Sequence, residues 1–167
     1  MRETRQSVLV DRRTREFDAF AAGAGGRLLH VATLLTAEPH GNNPRAQHLL
    51  VGALARTYAV WDRLHGEDPY DRTRRELATL FARTSWHFHH RVRSSTEDRG
   101  VLAALTPRLR LVVVLRLYEG VAEEQTAALL GLPEERVRAL CARAVATLRS
   151  TGSARRTRAS ARPAGAP

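Results

Sequence analysis

The chain has 167 residues and a formal net charge of +10, from 27 basic residues, every one an arginine, against 17 acidic ones. At 43% hydrophobic and 26% charged it can bury a core and stay in water, as one domain or two small ones. Apolar runs such as Leu111 to Leu115 are far too short to span a bilayer, and no Arg-rich amphipathic helix with aromatic anchors points to a membrane surface. The excess positive charge favours a polyanion, with nucleic acid as the natural partner. Four of the ten excess charges, Arg155, Arg156, Arg158 and Arg162, lie in Ser150 to Pro167, so six remain for the rest of the chain. The single cysteine, Cys141, excludes an intramolecular disulfide, and the charged start from Met1 to Glu16 lacks the apolar stretch of a secretion signal. Both point to the cytoplasm.

In chain order, residues 1–13 read as a flexible arm. Phe17 to Leu35 has helical spacing at its end, where Leu28, Val31, Ala32 and Leu35 share a face. Gly23, Gly25 and Gly26 predict a break or fraying in its first half. Ala37 to Asn43 is a loop by its Pro, Gly and Asn content. A second helix starts with Asn43 as cap and Pro44 at the first position, and buries Leu50, Ala53, Leu54, Thr57, Tyr58 and Trp61. A third repeats the device with Asp68 and Pro69, and buries Leu77, Leu80, Phe81, Thr84 and Phe88. Together residues 14–93 form one helical bundle.

The polar stretch 94–99 reads as a linker, and residues 100–149 as a second domain. There Val101 to Leu105 is a short helix, and Thr106-Pro107 caps another whose face is Leu111, Val114, Leu115 and Tyr118. Glu119-Gly120 stops it, Glu123 to Leu130 comes next, Gly131 turns the chain, and Pro133 to Arg149 is the last helix. Residues 150–167 have the composition of a disordered Arg-rich tail. The expected fold class is all-α: two small helical domains joined by a linker, the second a helix-turn-helix.

Val121 to Arg149 carries the functional signal. Ala127 is small where two helices cross, Gly131 permits a sharp reversal, and Pro133 opens a helix with Val137, Leu140, Cys141, Ala144 and Leu148 facing inward. Its other face offers Arg136, Arg138, Arg143 and Arg149, which can reach phosphates or guanine edges in a major groove. An ordinary helical hairpin with a solvated arginine face fits the same spacing.

Leu105 to Arg149 resembles the promoter-binding domain of bacterial sigma factors of the extracytoplasmic-function type. Thr106 to Arg116 matches the family's "L-P-x-x-x-R-x-V-x-x-L-R" helix. Phe17 to Arg93 is similar to the family's N-terminal domain, with Arg56, Tyr58 and Trp61-Asp62-Arg63 in place of its "R-A-Y-x-x-W-D-R" and Ser85-Trp86 in place of its "S-W". The resemblance, to a diverged and actinobacterial-like member, implies duplex promoter DNA, bacterial RNA polymerase core and an anti-sigma or other regulatory protein as partners. It implies contacts to the promoter −35 element by Arg136, Arg138 and Arg143, with Arg149 and the linker side contributing phosphate contacts. It places a core-polymerase or −10 surface at His48, Leu49, Arg56, Trp86 and Arg91.

The chain also departs from the family. Where the polymerase-gripping helix usually reads "A-E-D-L-V-Q-E", it has Ala46-Gln47-His48-Leu49-Leu50-Val51-Gly52. Phe81 replaces a usual Asn, His87-Phe88-His89-His90-Arg91 a more basic run, and Leu140 a frequent Arg. Two alternatives to a sigma factor stay open on these grounds: a sigma-derived regulator that has left polymerase behind, and an interaction module that does not touch DNA.

No metal or other cofactor is expected. His87, His89 and His90 lack a nearby Cys, Asp or Glu to complete a ligand shell. Cys141 reads as a small core residue, and Trp61 and Trp86 as core anchors rather than stacking platforms. Gly23-Ala24-Gly25-Gly26 has no strand before it and no Lys-Ser/Thr after it, so it is no phosphate loop. No triad or paired carboxylates are visible, so an enzyme is not expected.

Overall fold

The computed structural model describes residues 2–87 and 100–160. It divides into two compact units, Met1–Gly100 and Val101–Pro167. No strand occurs among the described residues. No helix among them is long and apolar enough to cross a membrane.

The first unit is built from α1 (Arg2–Thr36), α2 (Pro44–Ala59) and α3 (Pro69–His87), with a 3-10 turn at Trp61–Arg63. Its core is Leu28, Val31, Ala32 and Leu35 of α1 against Ala46, Leu49, Leu50 and Ala53 of α2 and Leu77, Ala78 and Phe81 of α3. Inside it the Thr57 and Thr73 hydroxyls meet at 3.0 Å, each also within hydrogen-bond distance of a carbonyl of its own helix, so that one hydroxyl donates to the other and the other to its carbonyl. That satisfies two polar groups that would otherwise be costly to bury.

The N-terminal segment is not a flexible arm. Helix α1 starts at Arg2 and passes through Gly23, Gly25 and Gly26 without a break. Neither Gly nor Pro occurs between Arg2 and Ala22, and Arg12 pairs with Glu16 one turn on at 2.7 Å. Tertiary contacts then hold the helix in place. Arg13 donates to the Tyr58 carbonyl oxygen, lies over the Tyr58 ring at 4.3 Å and pairs with Asp62 at 3.0 Å. Phe17 sits edge-on to Tyr58 and Trp61, at 4.9 and 5.2 Å, with Phe20 also against Trp61. Aromatic burial of this kind outweighs the weak helix propensity of three glycines.

The start of α2 differs from expectation as well. Asn43 makes no cap. It is buried, donating through Nδ2 to Thr33 Oγ1 at 2.9 Å and accepting from Gln47 Nε2 at 3.0 Å. The Glu38 carboxylate caps the helix instead, accepting from the backbone N–H of Arg45 at 3.1 Å and of Ala46 at 2.8 Å. At α3 the expected cap is present, with Asp68 Oδ1 accepting from Tyr70 N at 2.9 Å. Of the expected α3 stripe, Leu77 and Phe81 are buried, Leu80 is half-buried and Thr84 is exposed, while Phe88 lies outside the described residues. So does the expected linker, 94–99, and the end of the expected bundle at Arg93.

The second unit comprises a 3-10 turn at Val101–Ala104, α4 (Pro107–Val113), α5 (Glu123–Leu130) and α6 (Glu134–Ser160). Thr106 caps α4, its side chain accepting from Leu109 N at 3.5 Å. Helix α4 continues as a π turn over Val114–Tyr118. A π turn holds more residues per turn than an α-helix and so changes the direction in which its later side chains point. Tyr118, expected on the buried face, is 43% exposed, and Leu117 is 59% exposed. Leu109, Leu111 to Leu115, Val121, Ala127, Val137, Leu140 and Ala144 form the core.

The tail from Ser150 is helical rather than disordered as far as Ser160, and residues 161–167 lie outside the described part. Extending an existing helix needs no new nucleus, and the Ala and Arg residues of this segment favour it. Ser150 Oγ and Thr151 Oγ1 also donate back to the Thr147 carbonyl, each at 2.9 Å.

Candidate nucleic-acid interface

Helices α5 and α6 are joined by a two-bond reversal. Gly131 adopts φ 63° and ψ 39°, the left-handed region that a side chain penalises. The Leu132 N–H donates to Ala127 O at 3.0 Å and the Gly131 N–H to Ala128 O at 3.4 Å, which satisfies the last carbonyls of α5. Glu123 and Glu124 occupy the first turn of α5, where negative charge complements the helix dipole. Pro133 O then accepts the first bond of α6 from Val137 N at 3.2 Å. Thr126 and Ala127 of α5 are buried, as are Val137, Leu140 and Ala144 of α6.

Leu140 is thus a core residue, 7% exposed. Cys141 is half-buried rather than fully inward. Burial pushes its thiol above the ordinary range, against the opposing pull of Arg116 and with a further push from Glu123. Its thiolate is therefore scarce near neutral pH, and the thiol is a poor nucleophile.

All four arginines singled out on α6 are exposed, but they do not share a face. Arg138 and Arg149, eleven residues apart, lie about three turns along one side of the helix. With Arg116 of the π turn, Glu123 and Cys141 they line an open groove of ≈ 440 Å³. Arg138 Nη2 reaches Glu123 Oε1 at 2.6 Å, and Arg116 Nη1 donates to the Val121 carbonyl. Arg136 and Arg143, seven apart, share another side and stay out of this groove. The groove therefore has three arginines and one carboxylate in its lining, with Arg138 paired to Glu123. Arg116 and Glu123 were missed from the sequence because they come from elements other than α6. The acidic start of α5 was the signal for Glu123, and the family's helix motif ending at Arg116 the signal for Arg116.

In the first unit the named residues separate. His48 and Arg56 are exposed on α2, with Arg56 3.5 Å from Glu76 of α3. Leu49 is 8% exposed and belongs to the core, so it is no surface contact. The side chain of Trp86, and all of Arg91, lie outside what the structure describes, as do the side chains of His87, His89 and His90. Among the described residues no group of three or more His, Cys, Asp or Glu could hold a metal ion. Sequence reasoning overlooked Val51, one turn beyond His48 and 64% exposed. It falls outside the Leu50, Ala53, Leu54 and Thr57 stripe, which was the signal for it.

Comparison with known proteins agrees with this geometry. Residues 101–150 match the family described as Sigma-70, region 4. The chain is 32% identical over 154 residues to the RNA polymerase sigma-E factor of Streptomyces coelicolor, covering 80% of this chain and 84% of that protein. Against the sigma-E factor of Streptomyces avermitilis the identity is 33% over 154 residues, covering 80% and 83%. Against that of Streptomyces antibioticus it is 36% over 124 residues, covering 62% and 68%.

Proposed function

We propose a division of labour for this chain, which belongs to the RNA polymerase sigma factor family, extracytoplasmic-function type, and is thereby a DNA-binding transcription initiation factor. The second unit reads the promoter −35 element with α6 in the major groove, and the first binds core polymerase and the −10 region. The chain acts by binding, in the cytoplasm, with no catalysis of its own. An anti-sigma protein is the regulatory partner proposed for it.

The observation that carries this is the α5–Gly131–α6 pair with its exposed arginines, inside the segment that matches region 4. Arg138 and Arg149, lining the groove with Arg116, are the first contacts to DNA in this proposal, and Arg136 and Arg143 contact phosphates on the other flank. On the first unit, His48, Val51 and Arg56 form the polymerase-facing surface of α2.

The test uses duplexes recovered from sheared genomic DNA by the chain together with core polymerase. A base-contacting arginine is worth about 1–3 kcal/mol, and a phosphate-contacting one about one unit of salt slope. Arg138→Ala and Arg149→Ala are expected to weaken binding and relax sequence preference. Arg136→Ala and Arg143→Ala are expected to weaken binding uniformly. Loss of the Arg138–Glu123 pair costs the fold little, because Arg138 is 69% exposed and such surface pairs contribute weakly. Unchanged affinity in all four variants at moderate salt would contradict the assignment.

A further inference from the structure

Glu123 runs against the charge of the groove it lines. Arg116, Arg138 and Arg149 suit a polyanion, whereas a carboxylate among them repels phosphate. Its place is fixed from α5: it lies in the first turn, where the helix dipole favours its charge, and its side chain is 19% exposed. Arg138 Nη2 donates to its Oε1 at 2.6 Å, from fifteen residues along the chain and from the other helix of the pair. Among the described residues, Arg138 is the one of the four α6 arginines held in an ion pair.

A pair to a side chain as exposed as Arg138 adds little stability, because solvent screens it and fixing a long side chain costs entropy. What the pair does is set direction. A phosphate accepts a guanidinium from many approaches and carries no direct sequence information. A guanine edge is more exacting, since O6 and N7 take two N–H groups of the planar fork together. Nη2 carries two hydrogens, so one can stay on Glu123 while the other joins Nη1 in that fork. The adjacent carboxylate meanwhile makes the same spot unfavourable for a phosphate. Both effects favour sequence preference over raw affinity.

We propose that Glu123 is a positioning residue for sequence preference, holding Arg138 so that its fork meets a guanine edge in the major groove and keeping backbone phosphate away from it. This rests on the DNA-binding function proposed above and deepens it. Glu123 acts through Arg138 and not by a base contact of its own.

The experiment compares the unmodified full-length chain with Glu123→Ala, Glu123→Gln, Arg138→Ala and the double variant Glu123→Ala/Arg138→Ala, thermal unfolding checking that each keeps its fold. Each is titrated with a recovered genomic duplex and with a scrambled duplex of the same length, over a series of KCl concentrations. The readout is the ratio of the two affinities, which a loss of stability alone does not move. Glu123→Ala is expected to lower the ratio about tenfold, mainly by weakening binding to the recovered duplex. Glu123→Gln keeps an acceptor at the same reach, so it retains most of the ratio, and it binds both duplexes more tightly because a repelling charge is gone. In the Arg138→Ala background, Glu123→Ala leaves the ratio unchanged, since no guanidinium remains to be positioned. A ratio unchanged by Glu123→Ala, or lowered as much without Arg138 as with it, overturns the positioning role alone. So does a Gln variant that matches the Ala variant, which would make charge and not direction the cause. A full ratio in Arg138→Ala, or no preference by the unmodified chain, also overturns it while leaving DNA binding in place. Absence of salt-dependent duplex binding by the unmodified chain overturns both the positioning role and the function it rests on.

Discussion

Thr126 and the pair Thr57–Thr73 are equally buried but differ in their partners. Thr57 and Thr73 share their two hydroxyl protons between each other and their own helix carbonyls, whereas the Thr126 Oγ1 has no hydrogen-bond partner. An unsatisfied buried hydroxyl costs about 1–3 kcal/mol, and replacing it with a methyl of the same shape removes that cost. Thr126→Val is therefore expected to stabilise the protein by about 1 kcal/mol, read as a higher urea midpoint with unchanged slope. Thr57→Val is expected to move the midpoint the other way. A lower midpoint for Thr126→Val would mean that its hydroxyl is satisfied. Residue-scale chemistry also decides what Cys141 is. It lies beside Arg116 in the groove, yet its raised thiol keeps it from being a reactive centre.

Among the elements, helix starts were legible where the cap is local. Asp68 and Thr106 each stand immediately before a proline, and each caps as the sequence predicts. Glu38 was not legible, because it reaches across the loop to amides seven and eight residues on. That reach makes it testable. Glu38→Ala removes two charge-assisted bonds and a negative charge from the N-terminus of α2, and is expected to cost about 1 kcal/mol by thermal unfolding. Glu38→Gln, which keeps an acceptor, should fall between; no loss in either would show that the cap carries no stability. Gly131→Ala forces a side chain into φ +63° with open space around it, so its expected cost of about 1 kcal/mol is conformational rather than steric.

The misplaced elements have equally specific causes. The arm at the N-terminus lacks an apolar stripe, and its order comes from Arg13, Phe17 and Phe20 meeting Tyr58, Trp61 and Asp62, contacts about forty residues apart that no local window contains. Tyr118 was misread because the spacing assumes 3.6 residues per turn and the π turn breaks that period. The four arginines of α6 were legible as exposed, but their grouping was not. Only the helix geometry separates Arg138 and Arg149 from Arg136 and Arg143, and only the packing of α5 adds Glu123 to the groove.

For the whole molecule, the proposed division of work between the two units meets departures from the family pattern that fall unevenly between them. In the second unit, the replacement at Leu140 is absorbed by the core and leaves the exposed arginines in place. In the first, the absent acids at His48 and Gly52 alter the exterior of α2, where His48 and Val51 are exposed. The surface proposed to face polymerase therefore presents His48 and Val51 rather than acids. Val51→Asp is expected to weaken the grip on polymerase without affecting duplex binding, since Val51 is exposed and not part of the core.

The most direct measurement is co-elution of the purified chain with bacterial core RNA polymerase on a sizing column. A stable complex, weakened by Val51→Asp, is the result expected of a working sigma factor. Separate elution of chain and polymerase, with duplex binding retained, would contradict that function and leave a DNA-binding regulator that no longer engages the enzyme.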